Sequence, residues 1–187
     1  MQSLKNDNRG QARSAMRLRL RREFGEGKAV SHDVKAIDVL VGAELKRFGF
    51  VLGSWILELE KIQGGTSEFK LMIEAPWRLE KFTAIICGSD DHRFYWAEDV
   101  DELKASPFAS ALVSAFPGLD FLSGQLSTIR PRVTSASYGG NGDCSLSFDN
   151  DSDLKIWPGG RYGVQWILSL NGHVKIATSD GQLDVRE

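Results

Sequence analysis

The chain has 187 residues, 42% of them apolar, with 23 basic and 25 acidic side chains and a net charge of −2. That is room for one domain of ordinary size, or two very small ones, with enough apolar content to close a core. No apolar run approaches the roughly 20 residues of a membrane-spanning helix, and the first thirty residues lack the unbroken apolar stretch of a signal peptide, so the expectation is a cytoplasmic protein with no membrane partner.

The charge is unevenly placed. Lys5, Arg9, Arg13, Arg17, Arg19, Arg21, Arg22 and Lys28 stand against Asp7, Glu23 and Glu26, so residues 1–30 carry +5 and the rest of the chain −7. Helix propensity favours a helix over Gln11 to Phe24, although Leu18 and Leu20, two apart, suit a strand. Gly25 and Gly27 interrupt the run, so 1–30 is expected to be a basic arm on a flexible joint. Met16 is a second candidate for the start of the physiological chain.

From Ile37 the texture becomes β-rich. Trp55, Leu57 and Leu59 alternate with Ile56, Glu58 and Glu60, the period of a strand with one buried face. After the turn IQGGTSE, Phe69, Leu71 and Ile73 repeat the pattern until Ala75-Pro76 ends it, because proline cannot donate to the ladder. Trp77 to Leu79 and Thr83 to Cys87 supply two more strands. Ala97 to Phe116 changes period: Asp99 and Glu102 suit a first helical turn, and Ser106-Pro107 places an N-cap and an N1 residue in their preferred order. One broken helix or two short ones are expected there, stopped by Pro117-Gly118. Leu146 and Phe148, the turn DNDSD, and Leu154 and Ile156 then form a hairpin. Val164, Trp166, Leu168 and Leu170 share a face, and Asn171-Gly172 is a strong hairpin turn leading to Val174 and Ile176.

The second β region restates the first. WRLEKFTAIICGSDD (Trp77 to Asp91) matches WILSLNGHVKIATSDG (Trp166 to Gly181), WILELE (Trp55 to Glu60) matches CSLSFD (Cys144 to Asp149), and LMIEAPW (Leu71 to Trp77) matches LKIWP (Leu154 to Pro158). Gly42 in LVGAELKRF stands opposite Gly124 in LSGQLSTI. The expected architecture is therefore α+β and mainly β: a duplicated antiparallel meander, as two packed sheets or one partly open barrel, joined by a central helix. Each copy alone would be one five-strand sheet, marginal until the other covers its apolar face. The organisation is an arm (1–30), a first β repeat (31–96), a helical connector (97–120) and a second β repeat (121–187), both repeats in one compact domain. The repeated tryptophan is expected in the core.

The layout of Leu-x-Gly, an alternating strand, LMIEAPWRL and an apolar strand ending in GSDD resembles a group of small, uncharacterised bacterial domains. It covers Leu40 to Asp91 well and Leu122 to Asp180 more loosely, where the second copy breaks PWRL and lacks the counterpart of Arg78. Some similar proteins lie beside toxin genes and are suspected immunity proteins. The resemblance thus implies a protein partner, a cognate toxin being the specific form, and brings no catalytic residues.

Little else suggests chemistry. In GSDDHRFYW, Asp90, Asp91 and His92 end a strand, where a carboxylate and an imidazole could bind a metal or act as an acid–base pair. No further ligands stand at metal spacing, so a polar turn is the better account. DNDSD starts like a calcium loop, but Leu154 replaces the sixth-position glycine and Gly160 the final glutamate. The glycine-rich YGGNGD and PGGRYG open no helix that could receive a phosphate. Cys87 and Cys144 sit in apolar runs and read as buried thiols.

The leading expectation is a non-enzymatic interaction module without cofactor or metal. Asp90, Asp91, His92, Phe94, Tyr95 and Trp96 form one contact loop and Asp149, Asp151 and Asp153 another, acids steering association and aromatics anchoring it. The alternatives are a small-molecule-binding β module, and nucleic-acid binding through Arg13, Arg17, Arg19, Arg21 and Arg22, which ranks lower because the arm lacks aromatics for base stacking. An arm packed on its own body, or on a neighbouring subunit of a homo-oligomer, is equally compatible with the sequence.

Overall fold

A computed structural model describes residues 34–51, 54–62, 66–89, 91, 104–127, 129–139, 142–157, 164–171, 173–178 and 183–186. The basic arm with its expected helix, and residues 97–103 of the expected connector, lie outside the described residues.

The chain opens with a 3₁₀ segment, η1 (Val34–Leu40), followed by strands β1 (Glu44–Val51), β2 (Ser54–Lys61), β3 (Ser67–Ile73), β4 (Trp77–Lys81) and β5 (Ala84–Gly88). Helix α1 (Pro107–Ala115) follows, then β6 (Val133–Tyr138), β7 (Cys144–Phe148), β8 (Ser152–Ile156), β9 (Val164–Leu170), β10 (His173–Thr178) and β11 (Leu183–Arg186). Helix α1 starts where the sequence places its cap: the Ser106 hydroxyl accepts from the Ala109 N–H at 3.1 Å, and Pro107 stands first in the helix, where no N–H is needed.

All strand pairings are antiparallel and form two sheets, here A and B, which do not close into a barrel. Sheet A runs β1-β2-β3-β9-β10-β11 and sheet B runs β6-β7-β8-β4-β5. The sheets therefore do not divide as one copy each. The first half contributes β1–β3 to sheet A and the hairpin β4–β5 to sheet B, and the second half contributes β6–β8 to sheet B and β9–β11 to sheet A, so the chain crosses between sheets after β3 and after β8.

Strands that match in sequence hold matching registers. In sheet A, Ile73 faces Trp166 and Leu71 faces Leu168. In sheet B, Ile156 faces Trp77 and Leu154 faces Leu79. Both outer strands carry a bulge at the same place, between Leu45 and Arg47 in β1 and between Val133 and Ser135 in β6.

The inward faces make one continuous core. Trp77 and Trp166 are 2% and 1% exposed, as the pattern required. Across the interface between sheets, Trp55 and Trp77 stand edge to face at 4.8 Å, Phe48 lies 5.4 Å from Trp77, and Tyr138 lies 5.9 Å from Trp166. Phe108 of α1 and Phe116 just beyond it enter the same cluster, at 5.7 Å from Trp55 and Phe48 respectively. Cys87 and Cys144 are buried and unpaired by any disulfide. Burial pushes the Cys87 thiol up to about 12, with the nearby Asp91 charge adding to it, and raises Cys144 further still.

Candidate interaction site

The site is built at one end of sheet B, where three segments meet. Helix α1 ends there, and its last carbonyls have no partner within the helix. The Ser114 carbonyl accepts from Lys81 Nζ at 3.5 Å, and the Ala115 carbonyl accepts from Asn150 Nδ2 at 2.8 Å and Ser152 Oγ at 3.4 Å. The helix end is thus clamped to the end of β4 and to the turn between β7 and β8.

The β4–β5 turn projects beyond this clamp. Lys81 pairs with Ala84, so Phe82 and Thr83 form a two-residue turn, with φ of +48° and +67°. Both central residues at positive φ make a type I′ turn, which favours Asn-Gly. Side chains with a Cβ are strained there, and a β-branched threonine is especially so. The corresponding turn between β9 and β10 has Asn171-Gly172, with Asn171 at φ +45°. One hairpin therefore has the favoured pair in sequence, and the other holds an aromatic and a β-branched residue at positive φ. Phe82 is 71% exposed, and Ile85 beside it on the outer face 64%. Val113, in the last turn of α1, is also exposed.

Acidic groups border this apolar tip. The Phe82 N–H donates to the Asp151 carbonyl at 3.4 Å, which places the β7–β8 turn alongside it. Asp149 and Asp151 are exposed and Asp153 is half-buried opposite Glu80. Asp149 Oδ1 accepts from the Arg132 backbone N–H at 2.9 Å, which fixes the turn.

Behind the tip, on the outer face of sheet B, lies an ion cluster. Glu80 Oε2 is 2.6 Å from Lys155 Nζ, its other oxygen contacts Arg78 Nε, and the Arg78 guanidinium stacks 4.5 Å over Trp157. The Glu80 side chain is only 7% exposed and lies between its two cationic partners. The hydrogen bond from Lys155 is the main cause that holds its carboxyl below the ordinary range, against a smaller opposing effect of desolvation.

Asp91, the described residue of the first acidic loop, and the second acidic loop fall at opposite ends of sheet B. Asp91 follows β5 at the Trp77 end and is exposed, its carboxylate accepting from the Gly88 N–H at 2.7 Å, the bond of a polar turn. Asp149, Asp151 and Asp153 stand at the Lys81 end. Asp90, His92, Phe94, Tyr95 and Trp96 lie outside the described residues, as do Arg13, Arg17, Arg19, Arg21 and Arg22. Phe82, Thr83, Ile85 and Val113 were not among the contact residues expected from the sequence. Their signal was the repeat itself: Phe82 follows Trp77 by as many positions as Asn171 follows Trp166, so the alignment sets Phe82-Thr83 opposite Asn171-Gly172.

Comparison of the chain with protein-family models, curated proteins and solved structures finds no match. Among the described residues, no group of three or more His, Cys, Asp or Glu side chains could hold a metal, and no helix is long and apolar enough to cross a membrane.

Proposed function

We propose that this protein is a protein-binding module whose contact surface is the Lys81 end of sheet B. Phe82 enters an apolar pocket on the partner, Ile85 and Val113 widen the apolar contact, and Asp149, Asp151 and Asp153 meet a basic rim. The observation that carries this reading is the exposed phenylalanine in a strained turn. Strain of this kind persists where the site has a use for it, and a projecting aromatic is the commonest anchor of an interface. With −7 on the chain beyond the arm, a cationic partner surface is favoured, and acidic groups around the anchor would speed encounter. The resemblance of Leu40 to Asp91 to small bacterial domains, some of whose relatives lie beside toxin genes, makes an immunity-type inhibitor, acting in the cytoplasm on a toxin with such a surface, the specific form of the proposal. The internal match of Trp77 to Asp91 with Trp166 to Gly181 and the paired registers support an origin by internal duplication.

The test is affinity capture with the intact protein and a Phe82→Asn/Ile85→Ser variant at low and high salt. A stoichiometric protein retained by the intact bait, weakened on the order of 30-fold by loss of the anchor and released by salt, is the expected result. Equal retention by both baits would place the contact elsewhere. Retention indifferent to salt would remove the acidic rim from the proposal.

A further inference from the structure

The outer faces of the two sheets share a backbone plan and differ in chemistry. In sheet B, Ser145, Lys155 and Arg78 lie directly opposite one another on neighbouring strands, a polar row suited to water. The corresponding row of sheet A is Ile56, Met72 and Ile167. Ile56 and Ile167 are 6% and 5% exposed although they face away from the core shared by the sheets. Met72 between them is half-buried, and side chains on an outer face are this well shielded when something lies over them. Beside it, Lys46, Glu58, Glu68, Lys70, Ser169 and Asn171 border an open groove of about 380 Å³. Carboxylates flank the row at both ends: Glu74 on one side, Glu58 and Glu68 on the other. Glu68 is 72% exposed and has Lys46 at 3.7 Å.

We infer that residues 16–24 of the same chain lie across this face, their apolar side chains on the Ile56–Met72–Ile167 row and their arginines toward the flanking carboxylates. The segment, MRLRLRREF, suits the position in either regular conformation. As a strand, Met16, Leu18 and Leu20 share one side and Arg17, Arg19 and Arg21 the other. As a helix, Met16, Leu20 and Phe24 form a stripe bordered by Arg17 and Arg21. Charge agrees, +5 on residues 1–30 against −7 on the remainder. Reach agrees as well. Ten residues from Phe24 to Val34 span up to about 33–36 Å, several times the roughly 10 Å width of the three-strand row itself. Held there, the arm hides an apolar row and leaves the acidic end of sheet B free for the contact proposed above, on which this inference does not depend.

The test uses the full chain. A nitroxide attached at Ala15→Cys, with Cys87 and Cys144 buried and unlabelled, reports on isotope-labelled methyl groups. The expected result is loss of at least half the signal intensity at Ile56, Met72 and Ile167, none at Ile85, and recovery in a Leu18→Asp/Leu20→Asp variant. Full intensity at the three methyls overturns the inference, as does a loss that survives the double substitution. A loss that persists when spin label and isotope label are carried by different, mixed molecules overturns it too, since the arm would then belong to a second copy.

Discussion

Replacing Phe82-Thr83 by Asn-Gly should stabilise the protein while weakening its binding. A non-glycine residue in the left-handed region costs roughly 1–2 kcal/mol, and two such residues stand in succession at φ +48° and +67°. Glycine at 83 removes that cost and returns about 0.5–1 kcal/mol in chain entropy, while asparagine at 82 tolerates the geometry. The lost burial is small: full burial of a phenylalanine is worth about 1.5–3 kcal/mol, and at 71% exposure the side chain forfeits on the order of 0.5 kcal/mol. The net gain is about 1–2 kcal/mol, which for a domain of this size raises the melting temperature by roughly 2–8 °C. Thermal and urea unfolding of the two proteins, with identical circular dichroism as the check on fold, measures it. A variant that is equally stable or less stable refutes the argument, because the turn would then carry no strain or Phe82 would be packing and not projecting.

Three further outcomes follow from the geometry. Lys155→Met keeps the stem that covers Glu80 and removes its main hydrogen bond, so it should cost about 1–3 kcal/mol at neutral pH. Because the folded carboxyl is held below its ordinary 4.5, this contribution is present above that value and is lost as pH falls through the depressed one, so urea midpoints of parent and variant should converge in acid. Gly124→Ala brings a Cβ to 2.9 Å from the Phe48 carbonyl oxygen and 3.0 Å from Gly49 Cα at φ +70°, and should destabilise by at least about 2 kcal/mol in the same assay. Mass spectrometry after thiol alkylation at mildly basic pH should find no adduct on the native protein and two after unfolding, since both thiols are buried and raised.

What was legible in the sequence depended on how strongly one face was buried. Strands β2, β3 and β7 to β9 alternate cleanly and were found with their turns. Strand β1 was missed because the bulge after Leu45 breaks its period, and β6 because Val-Thr-Ser-Ala-Ser-Tyr is rich in small polar residues along its outer face. Residues 34–40 form a 3₁₀ segment where the sequence suggested β texture, since Ile37 and Leu40 are spaced alike for a single helical turn. Period two shows that a strand has a buried face and not which sheet lies opposite, so the exchange of hairpins between sheets was invisible. The site was hidden for a related reason. A type I′ turn made of Phe-Thr carries none of the letters by which turns are recognised, so β4 was ended two residues early, at Leu79, and β5 was begun one residue early, at Thr83.

The hairpin exchange has an energetic consequence that separates this fold from a pair of linked domains. Each seam pairs a meander strand of one half with a hairpin strand of the other, burying Leu71, Ile73, Trp166 and Leu168 in one sheet and Leu154, Ile156, Trp77 and Leu79 in the other, all at 2% exposure or less. At about 1.5–3 kcal/mol for each fully buried side chain, the two seams represent on the order of 10–20 kcal/mol. An ordinary domain has only about 5–15 kcal/mol in total. Neither half can therefore hold its strands without the other, even though each contains a complete copy of the pattern. Fragments 1–103 and 104–187 should each lack a cooperative transition when expressed alone, and should recover native near-ultraviolet dichroism when mixed in equal amounts. A cooperative monomeric transition in either fragment would mean that its sheet closes without the seam, and that the matched registers are not what holds the molecule together.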